Sequence, residues 1–145
     1  MISYDVPMIV QEKSNVCWHA SARMIYAFKR KACAHPLPSQ YRNNHGITPA
    51  QFVVLARELG LRTIPAINMS MGAAYLESVL RRHGPLWCAG YWDRLPHVIV
   101  LTGVIDDANV FFNDPSPARR ERLENSSWFN SRVASDVSNP LMFVP

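Results

Sequence analysis

Cys17 follows a polar lead-in, QEKSNVCW, and the apolar spacing turns helical directly after it. A cysteine at a helix start faces unsatisfied backbone N–H groups and the positive end of the helix dipole, which favour the nucleophilic thiolate. The plainer reading of a free cysteine is a small buried hydrophobe. Gln11 lies six residues earlier, where its amide can donate toward the same point as the Cys17 N–H and complete a two-donor oxyanion hole; alone it would be a solvated glutamine. His97 opens the most apolar segment, HVIVLTGVI, which gives a titratable ring a rigid mount. Asp114 ends the next apolar segment, VFFND. If the two segments form a hairpin about DDAN, residues whose numbers add to about 212 face each other. His97 and Asp114 add to 211, so the carboxylate can orient the imidazole.

These residues need a scaffold. A helix is expected from Cys17 to about Lys31, carrying Ala20, Met24, Ala27 and Phe28 at helical spacing, with Ser14 or Asn15 as its N-cap. Residues 32–47, with two prolines, two asparagines and a glycine, read as loop. Thr48-Pro49 opens a second helix that Gly60 closes, and Leu61–Ile67 reads as a short strand or extended connection. A third helix runs from about Gly72 to His83, with Leu76, Val79 and Leu80 on one face. Strands follow at LWCAGYW, HVIVLTGVI and VFFND. PSPARRER reads as a solvated loop, Ser127–Ala134 as a short helix and LMFV as a last strand. Helices first and an antiparallel sheet second define an α+β class.

At 145 residues the chain suits one domain, 1–145, and with 48% apolar and 18% charged residues it can build a core. A net charge of +4 is too small for a dedicated nucleic-acid binder, and no apolar run is long enough to span a membrane. The N-terminus shows no signal peptide, so synthesis in the cytoplasm is expected, with export by a specialised route left open. Three cysteines do not make a disulfide scaffold. Cys33 and Cys88 read as packing or incidental thiols. His19, His35, His45 and His83 show no ligand spacing, so no metal or other cofactor is expected. Arg81-Arg82 and Arg119-Arg120 read as solvated charges. Trp18 and Trp92 are candidates to line a substrate cleft, although aromatic rings in such segments are more often core.

Taken in order, Gln-x5-Cys-Trp, GPLWCAGYW with HVIVLTGV, and VFFNDP resemble the papain-like cysteine peptidases. The likeness is strongest to their small bacterial branch of plant-pathogen effector peptidases and leader-cleaving peptidases of peptide exporters, over about residues 10–115. The resemblance implies a catalytic helix packed on a small antiparallel sheet. It makes Cys17 the nucleophile, His97 the general base and acid, Asp114 the orienting residue, and Gln11 with the Cys17 amide the oxyanion hole. Papain carries Asn where this chain has Asp114, and the tryptophan that follows closely there is absent, leaving Trp128 as a distant substitute or a core residue. The expected activity is an endopeptidase acting on a target protein. With no length for an inhibitory propeptide, it would serve as a bacterial toxin or effector domain restrained by a cognate immunity protein. The same acyl-transfer chemistry would also serve a Gln deamidase, a transglutaminase or a cell-wall peptide amidase, and the fold alone would serve a non-catalytic peptide-binding module.

Overall fold

The computed structural model describes residues 1–64 and 71–145. Its elements are β1 (Ile2–Ser3), α1 (Cys17–Phe28), α2 (Pro38–Arg42), α3 (Pro49–Leu59), β2 (Arg62–Thr63), α4 (Ala73–His83), β3 (Leu86–Gly90), β4 (His97–Ile105), β5 (Asn109–Asp114), β6 (Arg120–Asn125), α5 (Ser126–Arg132) and β7 (Leu141–Phe143). All pairings are antiparallel, in the order β2-β7-β3-β4-β5-β6, with β1 added on β4. This is the expected α+β arrangement.

The sheet is covered on both faces, which explains why its central strands are almost wholly apolar. Trp87 and Ala89 of β3 with Val98 and Val100 of β4 meet Trp18, Ala22 and Ile25 of α1 and Phe52 and Leu55 of α3. The alternate residues, Leu86, Cys88, Ile99 and Leu101, meet Leu76, Val79 and Leu80 of α4 and Phe129 of α5. Strict alternation of side chains across a strand therefore feeds two cores rather than one core and solvent. Buried bonds fix α1 on the sheet: Trp87 Nε1 donates to the Trp18 carbonyl at 3.1 Å and Ser21 Oγ to the Val98 carbonyl at 3.3 Å.

Local sequence accounts for most boundaries. Thr48 and Gln51 form a capping box on α3, and Gly60 ends that helix at φ 78°. Asp106 and Asp107 take left-handed φ values of 54° and 56° in the β4–β5 turn, a conformation aspartate tolerates better than most residues. Gly103 admits β1, since a Cβ there would lie 2.7 Å from the Ile2 carbonyl oxygen.

Several expectations are corrected. α1 ends at Phe28 rather than near Lys31, and its N-cap is Val16, with no side-chain cap. Ser14 and Asn15 are engaged elsewhere: Asn44 Nδ2 donates to Ser14 Oγ, while the Asn15 backbone N–H donates to Asn44 Oδ1. The 32–47 segment contains α2, with Pro38 at its first turn after Leu37 in a left-handed conformation. The segment expected as a charged loop continues as β6, paired along the whole of β5. In the expected connection 61–67, Arg62–Thr63 form β2, and residues 65–67 lie outside the described residues. The hairpin register is also displaced. Near the turn, partners such as Val104 and Val110 add to 214, and an irregularity between Leu101 and Gly103 lowers this to 213 for Val100 and Asn113.

Candidate active site

Cys17 is the first residue of α1 and is half-buried, in one cleft with the end of β3 and the start of β4. Neither a capping side chain nor an acidic residue occupies the first turn, so the positive end of the helix is left for an incoming negative charge. The lead-in is held in place from outside: besides the Asn15–Asn44 bonds, the Gln11 backbone N–H donates to the Pro115 carbonyl at 2.9 Å.

His97 begins β4 opposite Gly90, with 17% of its side chain exposed. Its Nε2 donates to Asp114 Oδ1 at 2.6 Å, which leaves Nδ1 as the ring nitrogen available to Cys17. Asp114 is fully buried. Because of the register displacement, Asp114 stands diagonally rather than directly across from His97, a separation that long side chains bridge. Oδ1 of Asp114 also accepts the Ser116 N–H at 3.0 Å, and Oδ2 accepts Arg122 Nη1 at 3.1 Å.

The electrostatics follow from these contacts. Burial alone would lower the His97 pKa, but hydrogen bonds to Asp114 and Cys17 and their charges raise it to about 10. For Asp114, burial works upward, and the bonds from His97, Ser116 and Arg122 nevertheless hold the carboxyl below its ordinary value. The pair therefore stands as imidazolium and carboxylate at neutral pH. Burial of His19 beside His35 and Arg23 lowers its pKa to about 4, so it is neutral there.

Cys17 and His97 line one cleft of about 280 Å³. Its other walls are mainly apolar, including Ile47, Phe52, Val98, Ala134 and Val137. Gly90 lies in this lining, and a Cβ on it would come within 2.7 Å of the Arg132 carbonyl. Trp18 lines the cleft and also fixes its rim, donating from Nε1 to the His45 carbonyl at 3.1 Å.

Two expected site residues are placed differently. Trp92 does not reach the cleft. β3 ends at Gly90 and the chain bends, so Trp92 is buried against Trp128 and Phe129 and donates from Nε1 to the Cys88 carbonyl. Gln11 is buried, but its Nε2 donates to the carbonyls of Lys13 (3.0 Å) and Ser14 (2.8 Å), leaving Oε1 without a partner. In this geometry its amide supports the turn into α1. Arg122 and Asp93, which join the His97–Asp114 pair, were not among the expected residues. The available signal was a basic residue eight positions after Asp114, obscured by an edge strand that points Leu123 outward with 53% exposed. Among the described residues no three His, Cys, Asp or Glu side chains are grouped to hold a metal ion. No helix among them is long and apolar enough to cross a membrane.

A mixed fold with a cysteine at the head of a helix and a histidine on the facing sheet is that of a papain-like peptidase. The structure is similar to the crystal structure of the peptidase domain of Streptococcus mutans ComA, with a TM-score of 0.54 and 18% identity, covering 94% of this chain and 96% of that one. The family of the papain-like cysteine protease AvrRpt2 matches residues 1–134, and the chain belongs to it. It is a cysteine protease, a class that acts on proteins or peptides. No curated protein sequence matches the chain.

Proposed function

We propose that Cys17, His97 and Asp114 form the catalytic triad of an endopeptidase carried by a single domain, residues 1–145. The observation that carries this reading is the 2.6 Å bond from His97 Nε2 to buried Asp114, facing a cysteine at an uncapped helix start in the same cleft. The attacking form of Cys17 is its thiolate, and His97 stands beside it to hold and return the proton. Cys17 Sγ adds to the scissile carbonyl carbon, and the resulting oxyanion takes the Cys17 N–H. Gln11 supplies a second donor once its amide turns away from the Lys13 and Ser14 carbonyls. As the C–N bond breaks, the His97 imidazolium gives its Nδ1 proton to the departing amine, leaving a thioester on Cys17. Neutral His97 then removes a proton from water, whose oxygen attacks the thioester, and the acid product leaves the thiolate–imidazolium pair restored. Trp18 forms part of the wall along which substrate lies.

The resemblance to bacterial effector peptidases supports a finer reading. The domain is a toxin or effector, delivered into a target cell by a specialised export route and neutralised at home by an immunity protein. The decisive experiment compares target-cell lysates treated with the parent or with Cys17→Ala, using mass spectrometry of new N-termini and of side chains. New chain breaks that depend on Cys17 support the endopeptidase. Cys17-dependent mass gains of one dalton at Gln, without chain breaks, would replace it with a deamidase.

A further inference from the structure

Asp114 is fully buried, and each of its oxygens has a defined task. Oδ1 accepts both His97 Nε2 and the Ser116 N–H. Oδ2 takes a charged donor from Arg122 Nη1 at 3.1 Å. A carboxylate held at both oxygens cannot rotate, and its Oδ1 lone pairs stay aimed at the imidazole. Arg122 is itself fixed on several sides. Its Nη1 and Nη2 bind Asp93 Oδ2 and Oδ1 at 2.9 and 3.3 Å, and Glu124 Oε1 lies 3.5 Å from Nη2. The guanidinium lies over the rings of Phe112 and Trp128, 5.0 and 5.4 Å from their centroids. Arg119 Nη1 also reaches Asp93 Oδ1, at 3.2 Å. Three carboxylates, Asp93, Asp114 and Glu124, thus face three cations, Arg119, Arg122 and the His97 imidazolium. With 14% of its side chain exposed, Arg122 is largely sequestered from solvent, which strengthens its interaction with Asp114.

We propose that Arg122 is a positioning residue for the peptidase reaction, acting through Asp114 to hold the His97 ring toward Cys17, with Asp93 and Trp128 holding Arg122 in turn. The proposal rests on the triad reading above. Arg122 touches neither the thiol nor the cleft lining. Its contribution is to keep Oδ2 occupied, so that the carboxylate neither swings nor takes up a proton. Asp114 is approached by His97 from β4 and Arg122 from β6, and through Arg122 by Asp93 and Glu124.

The test compares the parent with Arg122→Gln, Arg122→Lys, Glu124→Gln and His97→Gln, each checked for folding by circular dichroism. One readout is the downfield imidazole N–H resonance of histidine-labelled protein, assigned to His97 by its loss in His97→Gln. The other is the rate of Cys17 alkylation by iodoacetamide between pH 4 and 8. Arg122→Gln should lose the resonance, move the acid limb to higher pH and slow alkylation at pH 6 by about tenfold, less than the roughly 10²-fold of a full 1 Å misplacement because the Ser116 N–H still holds Oδ1. Arg122→Lys should recover part of both effects, and Glu124→Gln, which removes only a 3.5 Å contact, should change both less than Arg122→Gln does. Should Arg122→Gln not fold, Asp93→Asn releases the bidentate anchor and carries the same expectations. A folded Arg122→Gln, or Asp93→Asn in its place, with the parent's resonance and profile overturns the role of Arg122 alone. If the parent and His97→Gln alkylate alike, the triad reading falls and this proposal with it.

Discussion

Asp114→Asn keeps the shape of a fully buried side chain while removing the charge that His97 faces at 2.6 Å. The structure sets the size of the effect. The displacement of His97 from 6.5 to about 10 corresponds, at 1.36 kcal/mol per pH unit, to about 5 kcal/mol of preference for the imidazolium. Because the folded value lies above the unfolded one, this stabilisation is complete below about pH 6.5 and is lost as pH rises toward 10. Asp114 acts in the opposite sense: its contribution is present above the unfolded carboxyl value and is lost as pH falls through its lowered folded value. Between pH 7 and 9, therefore, the parent should lose about 3 kcal/mol of unfolding free energy through His97, roughly 1.4 kcal/mol for each pH unit. In Asp114→Asn the first partner raising His97 is gone, while burial still works downward and only Cys17 is left to raise it, so that slope should shrink. The variant should also be less stable at pH 7 by about 3 kcal/mol, the scale for breaking a buried ion pair. Urea unfolding of both proteins at pH 6, 7, 8 and 9 measures the difference; groups titrating alike in both chains cancel, and Cys17→Ser introduced into both removes the one thiol that titrates with His97. Equal pH slopes in parent and variant would refute the assignment of a charged His97–Asp114 pair.

Other perturbations separate neighbouring roles. Gln11→Ala should leave iodoacetamide alkylation of Cys17 near the parental rate while slowing peptide turnover on the order of 10²-fold; equal losses in both assays would mean that Gln11 only supports the Lys13–Ser14 turn. Burial pushes the thiols of Cys88 and Cys33 upward, so brief alkylation of the folded protein at pH 6.5 should label Cys17 alone, as peptide mapping will show. In Gly103→Ala the new Cβ would meet the Ile2 carbonyl at 2.7 Å and Ser3 Cα at 3.0 Å. β1 should leave β4 at a cost of about 1–3 kcal/mol, detectable by urea unfolding and as faster hydrogen exchange of the Tyr4 amide.

The features legible in the sequence were those set by neighbouring residues. Apolar spacing after Cys17, the Thr48-Pro49 start with Gly60 as stop, and the DDAN turn located α1, α3 and the β4–β5 hairpin. Hairpin arithmetic then brought His97 near Asp114, and the displaced register still left them within reach of a hydrogen bond. What escaped depended on distant partners. RERLEN is a poor strand by composition. It becomes β6 because β5 supplies a ladder and because Arg122 finds Asp93, 29 residues back, and Asp114. Ser14 and Asn15 lie before the cap position, which falls to Val16, and they bind Asn44 across the loop instead. Trp92 followed the β3 alternation on paper, but the bend after Gly90 carried it to α5. Gln11 was identifiable by its distance from Cys17, whereas the orientation of its amide depended on two backbone carbonyls that no spacing rule describes.

The proposed triad is divided between two kinds of connection, and that division would set the order in which the enzyme is armed. His97 and Asp114 are 17 residues apart on one hairpin, a unit that closes on a microsecond scale. Cys17 reaches them only when α1 docks, through contacts such as Trp18–Trp87 and Ser21–Val98 that span 69 and 77 residues. Such closures carry a larger entropic cost and come later. A chain emerging from the ribosome exposes Cys17 early but brings it to His97 last, so partly made or partly unfolded copies would carry the cysteine without the proposed site.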